Sequence, residues 1–310
     1  MKIIDIHTHG IGGYDTRTTT EEDILRIAEI HGSFGVSEII VAIYPSSVKI
    51  MRKNMIAVKK AMEKQKSRIR NQIPPLTPTL AKGGDGGVAL PSRIIGGHLE
   101  GPFLNPSRCG SLNAASFIDP TEYNFKELIE GFEDIVKIIT VAPEINGAIR
   151  LIKKMSDKGI IVSLGHSDAT YAEAETGFNA GARGITHIFN AMRGFHHREP
   201  GLAGFGLLNQ DIYIEVIADH YHLHPKTLEL IFKTKSNDRI IIISDTVKES
   251  KKGKDRGRVK GITNIYGELS GGCITITESS KRLTEMGFNK GVIMRCITKN
   301  PERYLSGNIR

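Results

Sequence analysis

The chain has 310 residues, 39% of them hydrophobic and 25% charged, which suits a globular protein with a sizeable buried core. Its formal net charge is +8, but the basic excess is concentrated in 59–70 and 248–260, neither of which contains an aromatic residue. A solvated helix face and a loop are expected there rather than a nucleic-acid surface. No apolar run is long enough to span a bilayer, and the N-terminus lacks a signal-peptide pattern. The three cysteines form no C-x-x-C pair, which fits a reducing, cytoplasmic setting.

Short β-rich runs alternate with helical patterns along the chain. The first run, KIIDIH (2–7), leads into His7, His9 and a Gly-rich turn at Gly10, Gly12 and Gly13. Strand side chains alternate, so His7 and His9 point the same way and can share an ion if other ligands arrive from elsewhere. Further strands are expected at 38–44, 93–100, 137–144, 159–166, 184–190, 213–220 and 239–245. Between them lie helical stretches at 19–35, 59–70, 119–134, 146–159, 168–182 and 224–235, with two more at 278–288 and 290–299. Thr19 with Glu22 reads as a capping box for the first helix, and Gly159 as a C-terminal stop. The surplus length falls in three insertions, 68–92, 101–120 and 190–210, and the GGDGG run at 83–87 reads as a surface loop.

Strands alternating with helices indicate parallel βαβ units. Eight of them predict a closed (β/α)8 TIM-type barrel over a single domain, 1–310, with an open doubly wound sheet as the alternative. In a barrel the strand C-terminal ends meet on one rim. There the sequence places His7 and His9, His98 and Glu100, His166, His187, then Asp219, His220, His222 and His224, and finally Asp245. A lone histidine at a strand end is an ordinary polar terminus, but this many at successive ends points to a metal centre. A donor set of imidazole and carboxylate without thiolate suits Zn, Fe, Mn or Co. Such an ion supplies hydroxide near neutral pH, and Asp245 is placed to accept and return a proton.

These residues carry a resemblance. His7-x-His9, HLEGPFLNP (98–106), TVAPE (140–144), GHSDATYAEA (165–174), THIFNAM (186–192), REPGLAG (198–204), IADHYH (217–222) and SDT (244–246) resemble, in order, the N-acetylglucosamine-6-phosphate deacetylase family of the amidohydrolase superfamily. The resemblance implies metal ligands at Glu100, His166 and His187, with His7 and His9 allowing a second divalent ion. It implies an acid–base role for Asp245, and sugar-phosphate contacts from Asn190, Ala191 (through its backbone), Arg198 and His222, with Arg198 reaching across a homodimer. The implied reaction releases acetate from a 2-acetamido sugar phosphate.

Two departures stand out. Leu112 occupies the place of the family's carbonyl-binding histidine, which leaves a second metal, His98 or Asn113 to polarise the amide. The flanking small β-sandwich domain of relatives is expected to be missing. Strand four offers no lysine at its C-terminal end, which disfavours amidohydrolases built on a carbamylated lysine. The alternatives are another amidohydrolase with a different amide substrate, or a sugar-phosphate-binding regulator with weak turnover.

Overall fold

The computed structural model describes residues 2–71, 90–251, 261–264 and 267–307. Eight parallel strands follow one another in chain order: β1 (Ile4–Thr8), β2 (Glu38–Ile43), β3 (Arg93–Leu99), β4 (Val136–Val141), β5 (Ile161–Leu164), β6 (Gly184–Ile185), β7 (Tyr213–Ile217) and β8 (Ile240–Ile243). The seam between β8 and β1 closes just beyond the strands, where Asp245 N–H donates to the His7 carbonyl at 2.9 Å and His9 N–H to Thr246 at 2.8 Å. The sheet is therefore a barrel, as the alternation predicts, and not an open doubly wound layer. Strands β5 and β6 stop well short of the expected ends because His166, His187 and Phe189 turn the chain to positive φ (47°, 30° and 75°).

Strand β8 is four isoleucines, the continuous apolar run expected of a strand covered on both faces. Ile241 and Ile243 enter the barrel lumen with Ile4, Ile6, Ile40 and Ile138, whereas Ile240 and Ile242 join the larger layer between strands and helices. Above the luminal isoleucines lies a polar chain: His98 Nε2 to Thr140 at 2.8 Å, Thr140 to Thr186 at 2.9 Å, and Thr186 to Ser163 at 2.8 Å. Each of these groups has a partner, as buried polar atoms require.

The helices are α1 (Glu21–Ser33), α2 (Val48–Asn71), α3 (Glu122–Ile129), α4 (Ala148–Asp157), α5 (Tyr171–Asn179), α6 (Gly201–Leu208), α7 (Pro225–Thr234), α8 (Ile276–Glu285), α9 (Lys290–Cys296) and α10 (Lys299–Ser306). Helix α2 starts eleven residues before the expected 59–70, and three further points differ from expectation. Helix α1 begins after Thr20, which makes no side-chain cap, so the Thr19–Glu22 box does not form; reciprocal boxes form instead at Thr170–Glu173 and Thr275–Glu278. Helix α6 arises inside the third insertion: GLAGFGLL has poor intrinsic propensity, but seven of its residues are buried and packing overrides it. The C-terminal segment forms three helices rather than two.

Exposed pairs such as Lys64–Glu22 at 2.7 Å and Lys59–Asp134 at 3.2 Å make the basic side of α2 a solvated face. The GGDGG run and residues 252–260 lie outside the described residues. Among the described residues, the strands outside the barrel form only two small hairpins, Gly10–Ile11 with Tyr14–Asp15 and Ile262–Thr263 with Leu269–Gly271, and no β-sandwich. No described helix is long and apolar enough to cross a membrane.

Candidate active site

The C-terminal rim gathers side chains from β1, β3, β5, β6 and β8. Glu100 is the hub. Its Oε1 lies 3.1 Å from His166 Nε2 and 3.0 Å from His187 Nε2, while its Oε2 lies 3.1 Å from His9 Nε2. His7 Nε2 lies 3.3 Å from His9 Nε2, and Asp245 Oδ1 is 3.6 Å and 3.7 Å from these two nitrogens. Two adjacent groups face this rim, Glu100 with His166 and His187, and His7 with His9 and Asp245, and a third, His7 with His98 and Glu215, shares His7 with the second; every member is buried. Ligand atoms around a tetrahedral zinc sit about 3.3–3.6 Å apart, given bonds of ~2.0–2.2 Å. The spacings among His7, His9 and Asp245, 3.3–3.7 Å, are close to that edge length, and the Glu100 contacts at 3.0–3.1 Å are a little shorter.

The hydrogen bonds strengthen this fit. His166 Nδ1 lies 3.0 Å from the Arg108 carbonyl, which can only accept, so Nδ1 carries a proton. Its Nε2, 3.1 Å from a Glu100 oxygen, is the nitrogen left to ligate a metal. On His7, Nδ1 lies 3.2 Å from Glu215 Oε2, and Nε2 faces His9 and Asp245. Imidazole nitrogens and carboxylate oxygens that converge in a buried site need protons or a metal between them, and these residues fit a divalent metal.

Local backbone geometry aims the side chains. His166, His187 and Asp245 all take left-handed φ values of 47°, 30° and 49°, unusual for residues other than glycine and concentrated at functional sites. Gly272 lets the chain approach the end of β8 closely: a Cβ there would lie 1.8 Å from the Ser244 carbonyl, and its N–H donates to Asp245 O at 2.7 Å.

Burial and charge compete at the cluster. Burial alone would raise the Glu100 carboxyl, but His9, His166 and His187 hold it well below its usual range. Burial would lower His187, but the hydrogen bond and charge of Glu100 raise it to about 9. Burial dominates at His7, lowered to about 4, and at Glu215, raised to about 7.

A cavity of about 220 Å³ opens on this rim. Asn190, Ala191, His222 and Leu112 line it beside His9, Glu100 and Asp245. His222 Nδ1 lies 2.9 Å from Asp219, whose carboxyl is pulled down to about 2 because this bond and two backbone N–H groups outweigh its burial. Arg198, by contrast, is exposed and does not line the cavity. His98 is wholly buried below the rim, and the Asn113 side chain caps a short turn through Ala115 N–H, so neither reaches the cavity as a carbonyl donor.

No family model matches the chain. Among curated proteins, the N-acetylglucosamine-6-phosphate deacetylase of Bacillus subtilis (strain 168) is 35% identical over 207 residues, 66% of this chain and 49% of that protein. The N-acetylgalactosamine-6-phosphate deacetylase of Escherichia coli O157:H7 is 26% identical over 312 residues, 97% of this chain and 76% of that protein. The crystal structure of N-acetylglucosamine-6-phosphate deacetylase from Thermotoga maritima matches with a TM-score of 0.80 at 25% identity, covering 99% of this chain and 79% of that one. The chain belongs to the N-acetylglucosamine-6-phosphate deacetylase family. It spans about half the length of the Bacillus subtilis relative (49%).

Two features of this deacetylase-family site escape the sequence reading. Glu215 supports His7 from β7, and its signal is a single acid inside the apolar strand YIEVI. Tyr44 follows β2 and lines the cavity, and an aromatic at a strand end gives no such signal.

Proposed function

We propose that the chain is a metal-dependent amide hydrolase that deacetylates N-acetylglucosamine 6-phosphate or a close amino-sugar phosphate. The observation that carries this is the convergence of Glu100, His166 and His187 at 3.0–3.1 Å with the His166 proton assigned to Nδ1. Glu100, His166 and His187 would hold one divalent ion, and His7 with His9 a second, zinc being the first choice and iron, manganese or cobalt the others. When bound, such an ion lowers the pKa of water and polarises a carbonyl.

Asp245 accepts a proton from the attacking water as its oxygen bonds to the carbonyl carbon. It then delivers that proton to the sugar nitrogen as the C–N bond breaks, giving acetate and the free amine. His222, fixed by Asp219, together with Asn190 and the Ala191 backbone, orients the sugar phosphate. Because Arg198 is exposed away from the cavity, we assign it to the phosphate of a neighbouring copy in a homodimer. We read 1–310 as one barrel domain of a cytoplasmic enzyme.

The test is acetate release by protein loaded with zinc, manganese, iron or cobalt. The substrates are N-acetylglucosamine 6-phosphate, its galacto epimer and unphosphorylated N-acetylglucosamine. Turnover of a phosphorylated sugar is expected, and metal-loaded protein inert toward both phosphates refutes the reading.

A further inference from the structure

The cavity wall beside the carboxylate–imidazole cluster carries an uncharged donor with no task assigned so far. Tyr44 is the first residue after β2. The pairing of Ile43 with Leu99 sets it next to Glu100, whose N–H donates to the Ile43 carbonyl at 3.1 Å. Its ring stacks on His9 with centroids 3.8 Å apart and planes at 22°. The Arg17 guanidinium lies 4.4 Å from the same ring centroid and is itself held by Asp15 at 2.7 Å. An imidazole and a guanidinium this close must occupy opposite faces, so the ring is fixed from both sides. Its hydroxyl hydrogen-bonds to no described residue and keeps some exposure, and Tyr44 is among the residues that line the cavity.

We propose that Tyr44 is a further catalytic residue, its phenol O–H donating to the carbonyl oxygen of the scissile amide and to the oxyanion that forms from it. This rests on the deacetylase reading above. As the water oxygen bonds to the carbonyl carbon, the π pair moves onto the carbonyl oxygen. It returns to rebuild the C=O when the C–N bond breaks and the nitrogen leaves with the proton from Asp245. Tyr44 keeps its own proton throughout, as a phenol does at neutral pH. A donor fixed before the reaction stabilises the charge without reorganising. The other candidates are worse placed. Leu112 has no donor, while Ser111 sits in a turn and Ser270 in the small hairpin outside the barrel rather than in register with Glu100.

Wild type and Tyr44→Phe, both loaded with zinc and analysed for metal content, are assayed on N-acetylglucosamine 6-phosphate and titrated calorimetrically with acetate. The phenylalanine keeps a ring between His9 and Arg17. Metal content should be equal, and kcat should fall by ~10²–10³ with KM within about threefold. A variant kcat within about twofold of wild type overturns the donor role, and loss of metal from the variant overturns it in favour of a structural ring. If wild type shows no turnover, the substrate reading fails and acetate decides Tyr44 alone. Binding about tenfold weaker in the variant upholds the donor, and equal affinity overturns it. A wild type that binds no acetate overturns both.

Discussion

Asp245→Asn separates charge from conformation at the site. Asp245 has φ 49°, a region that asparagine tolerates and alanine enters at a backbone cost of about 1–2 kcal/mol. The asparagine variant therefore keeps the turn beyond β8 while losing the group that carries the proton. With Oδ1 only 3.6 Å and 3.7 Å from His7 and His9 Nε2, the carboxylate has the position a proton carrier needs above this pair. General acid–base catalysis contributes ~10²–10⁴ in rate, so the barrier should rise by about 3–5 kcal/mol, seen in kcat more than in KM. The assay is steady-state acetate release by metal-loaded protein, with metal content and thermal midpoint recorded for both forms. Unchanged folding and metal content with a depressed kcat is the expected result. An asparagine variant that keeps more than about a tenth of wild-type kcat refutes the proton-carrier role.

Burial lowers His31 to about 4 from the ordinary 6.5. As pH falls below the ordinary value the unfolded chain takes up a proton that the folded one refuses, so stability falls until the folded value is reached, by about 3 kcal/mol in all. Urea midpoints at about pH 7.5 and about pH 4.5 should show a smaller acid loss for His31→Gln than for wild type, and equal losses refute this. Zinc added to chelator-stripped protein should raise the thermal midpoint, by about 2.7 kcal/mol of stability at a hundredfold excess over Kd; Glu100→Gln should abolish most of that shift, and a full shift in the variant contradicts the ligand assignment. Leu112→His placed in Tyr44→Phe should recover at least about tenfold in kcat by restoring a donor, and no recovery counts against Leu112 facing the reacting carbonyl.

Most strand cores and their order were legible because they are short apolar runs rich in β-branched residues, with a helical pattern between each and the next except between β6 and β7. The rim cluster was legible for the same reason: a polar residue directly after such a run has few places to go. What was hidden depended on contacts made across the barrel. GLAGFGLL looks like a loop because its glycines weaken local propensity, and it is helical because Leu202, Ala203 and Phe205 are buried. Thr20 rather than Thr19 is the N-cap of α1, and nothing in TTTEED distinguishes them. Glu215 becomes meaningful only when the barrel closes and brings β7, one strand removed from β1, to His7. Arg198 sits in a matching motif, yet its side chain is exposed and outside the cavity lining.

The left-handed backbone at His166, His187 and Asp245 has a consequence for anyone seeking a hardier version of this barrel. Glycine at any of these three positions would relieve about 1 kcal/mol or more of conformational strain. A heat-survival selection that ignores turnover will therefore be drawn to the very positions where the chemistry is mounted. Variants recovered that way should be long-lived and inert, so selections on this scaffold need activity as a condition from the first round.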